Sequence, residues 1–150
     1  MELVCPAGSL AAVKAAVDNG ADAVYVGFSD NTNARFFAGL NFTPEDMHEA
    51  AAYIKSRGRR FFVAINTFPQ PGRWQSWCNA VDGAADLGAD AVILADIGLL
   101  AYATDKHPHL PRHLSVQASA TNLSALGFFH QEFGVRRAVL PRVLSARHVA

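Results

Sequence analysis

The stretch 19–27, NGADAVYVG, returns as 87–95, LGADAVILA, so the pentapeptide Gly-Ala-Asp-Ala-Val stands at Gly20–Val24 and again at Gly88–Val92. Each copy follows an amphipathic segment and precedes a β-branched one. Ahead of the first, Ser9 is placed to cap a helix whose apolar positions Leu10, Val13 and Val17 recur at helical spacing. Gly20 tolerates the left-handed backbone just past a helix end, and the chain then turns into Ala23–Val26. The pentapeptide therefore reads as the hinge between a helix and a strand. Gly134–Val139, GVRRAV, reads as a degraded third copy.

The same grammar fills the intervals. Thr43-Pro44-Glu45-Asp46 is a helix start, Met47, Ala51 and Ile54 form its apolar stripe, and Arg57-Gly58 closes it with a favourable group of helix-end cations at 57–60. A strand is expected at Phe61–Ile65, a helix over Trp74–Leu87 and a strand at Ala91–Leu94. A helix near Leu99–Thr104 follows, then a strand at Leu114–Ala118, a helix over Leu123–Phe133 and a strand at Ala138–Leu140. Ser145 caps the start of a last helix. Alternating strands and helices imply a parallel sheet covered by helices. The pattern alone fits either an open doubly wound sheet or the first six units of an eight-unit barrel. The absence of a dinucleotide fingerprint, Walker loop or ribose-binding acid favours the barrel.

With 51% hydrophobic residues in 150, the chain can bury a sizeable core. Thirteen basic residues balance thirteen acidic ones, which argues against a broad nucleic-acid or membrane footprint in this segment. No charged-then-apolar leader and no spanning apolar run is present, which places the expected location in the cytoplasm. Two cysteines, Cys5 and Cys78, are too few for a disulfide scaffold or a self-contained metal site.

In either architecture ligands gather at the carboxyl ends of the strands. Alternation across the expected fifth strand puts Ser115, Gln117 and Ser119 on one face, a polar face that needs partners inside the sheet. The long loop 28–42 carries Asn33 and Arg35, whose planar fork suits a carboxylate or phosphate unless a structural acid claims it. Asn66 and Arg142 end the third and sixth strands. His107, His109 and His113 lie in HPHLPRH, where prolines spoil ligand geometry, so a solvated loop is expected there. Cys5 reads as a buried structural thiol, and Trp74 and Trp77 as helix packing against the sheet.

The segments CPAGS, GADAVYVG, NARFFAGLNF, AINTF, LGADAVILAD, SVQASATN and RRAVLPRVLS, in this order, resemble the peptidase U32 family of collagenase-like proteins over nearly the whole chain. The combination CPAG, DNTNAR and VLPRVLS is similar in particular to its ubiquinone-biosynthesis, UbiU-like branch. The resemblance implies a TIM-like (β/α) barrel, here as the six amino-terminal βα units of one barrel domain at 1–150, an amino-terminal piece of a longer protein. It implies a component of an oxygen-independent hydroxylase acting with a homologous UbiV-like subunit on a quinone precursor, with a small organic acid as co-substrate. A [4Fe-4S] cluster is implied for the full-length protein, on cysteines beyond residue 150 and on none in this chain. Peptide hydrolysis and RNA hydroxylation are the alternatives within the family. The family-like positions Asn33, Arg35, Asn66, Gln117, Ser119, Asn122 and Arg142 are then expected to bind substrate, with Arg35 or Arg142 taking a carboxylate. Gln117, Ser119 and Asn66 are expected to orient the ligand.

Overall fold

The computed structural model describes residues 1–149. Six parallel strands stand in sequential order in one sheet: β1 (Val4–Pro6), β2 (Ala23–Gly27), β3 (Arg60–Ile65), β4 (Ala91–Leu94), β5 (Arg112–Leu114) and β6 (Arg137–Ala138). Helices α1 (Leu10–Asp18), α2 (Pro44–Ser56), α3 (Trp74–Asp86), α4 (Ile97–Lys106), α5 (Leu123–Phe133) and α6 (Ala146–Val149) follow the strands in turn. The sheet curls through ~207°, an incomplete, half-open barrel with β1 and β6 at its edges. No described helix is long and apolar enough to cross a membrane.

The repeated pentapeptide has a double role. Gly20 (φ 93°) and Gly88 (φ 66°) take the left-handed turn, and the next residue closes each helix by donating its N–H to a carbonyl, Ala21 to Ala16 and Ala89 to Ala84, both at 3.0 Å. The aspartate then reaches to the preceding strand. Asp22 Oδ2 accepts from Leu3 N at 2.8 Å and Asp90 Oδ2 from Phe61 N at 2.7 Å. Each copy thus ends a helix and ties the start of one strand to its neighbour.

Two apolar layers result. The outer one, between sheet and helices, includes Val24, Phe61, Val63, Leu94, Trp77 and Leu100. The inner one is smaller and lines the concave side: Ala23, Phe62, Ala64, Ala91 and Ile93, with Val4 and Tyr25 against them. Ser9 Oγ caps α1 by accepting from Ala12 N at 3.2 Å. Ser9→Ala is expected to cost about 1 kcal/mol, read as a lowered urea midpoint at unchanged slope.

Three expectations need correction. The fifth strand is Arg112–Leu114, not Leu114–Ala118, and Val116–Ala118 is a 3₁₀ turn. Ser115 makes the last ladder bond, to Leu94 O at 2.7 Å, and its hydroxyl then accepts from Gln117 N at 3.3 Å. A serine that offers its side chain to the backbone two residues on competes with the ladder, so the alternation of faces over 115–119 does not exist. The sixth strand is Arg137–Ala138 instead of Ala138–Leu140. His113 lies in β5 and is buried, not in a solvated loop, because it pairs with Ile93 and Arg137 in the sheet and its ring packs on Phe62; Arg112 beside it is buried too. The Arg112 side chain donates to Phe133 O at 2.7 Å and to Leu110 O at 2.8 Å, so its polarity is spent on loose carbonyls. His107 is half-buried against Asp82 at 2.6 Å, whereas His109 is exposed. Trp77 is buried as expected, and Cys5 is half-buried against the outer core.

Candidate functional site

A cavity of about 640 Å³ occupies the concave side of the sheet and opens among the loops at the strands' carboxyl ends. Its wall is the inner apolar layer. Phe62 meets His113 edge to face, centroids 4.9 Å apart, and the Arg137 guanidinium lies 5.8 Å from the Phe62 centroid. His113 and Arg137 are register partners on β5 and β6, so both side chains point to the same face. Behind them Glu2 is ion-paired with both Arg60 and Arg137. Burial, reinforced by Arg137, holds the His113 pKa down at about 4 against the opposing pull of Glu2, so the imidazole is neutral at pH 7.

The rim is built largely by the loop between β2 and α2, which its own polar side chains fasten. Asp30 Oδ1 accepts from Thr32 N at 2.8 Å and from its hydroxyl at 2.6 Å. Thr32 O in turn accepts from Asn66 N at 3.0 Å, and Asn66 Oδ1 accepts from Ala34 N at 2.9 Å. Asn33 is buried: its Nδ2 donates to Asn41 Oδ1 at 3.0 Å, and its Oδ1 accepts from Arg35 N at 3.0 Å. Asn41 Nδ2 donates to Arg35 O at 2.7 Å. The Arg35 backbone is therefore gripped on both sides while its side chain stays exposed, its guanidinium 3.5 Å from the Tyr25 hydroxyl.

Five of the residues singled out in the sequence, Asn33, Arg35, Asn66, Gln117 and Arg142, line this one cavity. Asn33 and Asn66 do so with side chains engaged in holding the loop. Ser119 and Asn122 do not line it. Ser119 is exposed and left-handed (φ 53°) at the end of the 3₁₀ turn, and Asn122 caps α5 by accepting from Ala125 N at 2.9 Å. No carboxylate pairs with Arg35 or Arg142 among the described residues, which leaves both guanidiniums available to an anion at the mouth.

Sequence reasoning passed over His113 and Arg137. For Arg137 a signal existed: in the degraded third copy it occupies the place of Ala23 and Ala91, both of which face inward. For His113 no repeat supplied the register, and the flanking prolines pointed to a loop.

A four-thiolate cluster does not fit the chain's own residues. Only two cysteines exist, Cys5 on β1 and the buried Cys78 on α3, and no group of three His, Cys, Asp or Glu converges among the described residues. Nor is any serine, threonine or cysteine side chain hydrogen-bonded to an imidazole among them.

Two curated proteins and one solved structure are informative. The tRNA hydroxylation protein P of Helicobacter pylori is 38% identical over 145 residues, 97% of this chain and 34% of the relative. Its namesake in Escherichia coli is 31% identical over 151 residues, 99% of this chain and 32% of the relative. The chain thus spans about a third of the length of these relatives. The U32 peptidase Mk0906 superposes with a TM-score of 0.76 at 16% identity, covering 93% of this chain and 58% of that one, which speaks to the fold alone. The family model for peptidase family U32 matches residues 8–150, a span that carries the repeated hinges, the fastened loop and most of the cavity's lining. On that match the chain belongs to peptidase family U32.

Proposed function

We propose that the protein is a component of an RNA-hydroxylating system, with this chain supplying the cavity in which a tRNA base is held. The carrying observation is the 38% identity over 97% of the chain with a tRNA hydroxylation protein, an extent that takes in the cavity and its rim. The physical chemistry agrees. A wall of Phe62, Ile93 and Tyr25 accepts a flat ring, and the unpaired Arg35 and Arg142 at the mouth attract a phosphate or carboxylate. The balanced charge of the chain, which speaks against a broad RNA footprint, is consistent with a site that takes one base while other parts of the protein carry the backbone.

Hydroxylation of a ring needs an oxidising group that side chains lack. In this reading a [4Fe-4S] cluster on ligands outside residues 1–150 would supply electron transfer, while Arg35, Gln117 and Arg142 bind and orient. Hydroxylation of a quinone precursor with a UbiV-like partner is the same chemistry on another ring.

The test is nucleoside mass spectrometry of tRNA from a deletion strain complemented with the full-length protein or with its Arg35→Ala, Arg142→Ala double variant. Deletion should remove a nucleoside one oxygen heavier than its parent, the wild type should restore it, and the double variant should restore less than a tenth. A tRNA profile unchanged by deletion overturns the proposal. If the quinone made without oxygen disappears instead, the substrate is the quinone ring.

A further inference from the structure

We propose that His113 and Arg137 form a ligand-reading subsite on the inner wall of the cavity, which takes a small flat ring bearing an anionic group and a hydroxyl or carbonyl. The inference deepens the reading above and rests on it for the reaction, though not for the binding. Three observations carry it.

His113 is 8% exposed and lines the cavity, yet neither ring nitrogen has a hydrogen-bond partner among the described residues, whereas His107 and His130 both have one. Its nitrogens are not sealed off, since the fully buried side-chain polar atom without a hydrogen bond among the described residues is Glu2 Oε1, so they face the cavity and a group from that side can complete the imidazole. A neutral imidazole offers one donor and one acceptor, which suits a hydroxyl or carbonyl and gives little to a carboxylate.

The second observation is charge. Arg60 and Arg137 share the single carboxylate of Glu2, which leaves one positive charge in excess at the inner end of the cavity. Arg137 is the member of that group that lines it. Arg35 and Arg142 lie at the mouth, so an anion finds cations at either end. The third observation is shape: His113 and Arg137 are register partners on adjacent strands and both approach the Phe62 ring, so a ligand ring in the cavity is within reach of the neutral group and the cation together.

The probes are 4-hydroxybenzoate, benzoate, which lacks the hydroxyl, and uridine 5′-monophosphate, which carries a carbonyl and a phosphate. Calorimetry on the full-length protein should show 4-hydroxybenzoate or the nucleotide binding about tenfold more tightly than benzoate, the worth of one well-placed polar contact. His113→Leu should remove that preference, and His113→Asn should keep part of it. Which of the two binds more tightly tells a carboxylate ligand from a phosphate one. Failure of all three to bind the wild type, or a preference unchanged in a His113→Leu protein with wild-type circular dichroism, overturns the proposal. Because the readout is binding, it stands or falls separately from tRNA hydroxylation. Loss of the subsite with tRNA hydroxylation intact would reject this inference alone.

Discussion

Replacing Gly27 by alanine is expected to destabilise the protein by about 3 kcal/mol and to abolish ligand binding at the rim. Gly27 ends β2 under the side chain of Asn33, and a Cβ there would stand 2.0 Å from Asn33 Nδ2 and 2.6 Å from its Cγ. The requirement is one of space, since Gly27 is not among the glycines of positive φ. An exposed asparagine would swing aside at little cost. Asn33 is buried and fixed by its bonds to Asn41 and to the Arg35 backbone, so making room breaks both and releases Arg35. The double variant isolates this cause. Asn33→Ala alone loses the two bonds, and adding Gly27→Ala to it should cost less than about 1 kcal/mol more, since the 2.0 and 2.6 Å overlaps are gone and only a 3.2 Å contact with the Cβ at position 33 is left. Chemical denaturation of the four proteins checks it, and additive losses would show that Gly27 acts through something other than Asn33.

That pair also marks where sequence reading stops. The hinge glycines announce themselves because φ > 0 is a local demand, written into the residues around Gly20, Gly88 and Gly134. Gly27 looks like one more turn glycine, and its true constraint comes from a side chain six positions on that folds back over it. Arg35 was legible as an anion-binding candidate from its chemistry. That Asn33 serves as a clamp could not be read, because its partner Asn41 is brought near only by the closed loop. The end of β5 was missed for a similar reason. Ser115-Val116-Gln117-Ala118 alternates like a strand, and only the hydrogen bond from Gln117 N to Ser115 Oγ takes it out of the sheet. Ser119 and Asn122 illustrate the converse, since motif likeness drew attention to them while their positions are those of a turn end and a helix cap. Local pattern thus gave the order of elements. What faces the cavity depended on register, and register was written into the sequence only where the pentapeptide repeats.

Acid should unfold the protein earlier than its carboxylates alone would require, and His113 is the reason. In the unfolded chain an imidazole takes its proton near pH 6.5, whereas in the fold burial and Arg137, with a smaller push from Arg60 and an opposing pull from Glu2, hold it off until about 4. Between those values the unfolded state binds a proton that the folded state refuses. Stability is therefore whole above about pH 6.5 and falls as the pH drops towards 4, by about 2 kcal/mol once solvent screening is allowed for. Asp82, whose carboxyl is held below the ordinary 3.8 by His107 and Tyr102 against the opposing effect of its own burial, adds a second loss only at lower pH, so the two windows separate. Urea midpoints measured from pH 7.5 to 4 should show the slope in the wild type and its near absence in His113→Gln, which keeps polarity and cannot titrate. A slope unchanged by the substitution would mean that His113 takes its proton as readily in the fold as in the unfolded chain, and that other groups carry the acid sensitivity.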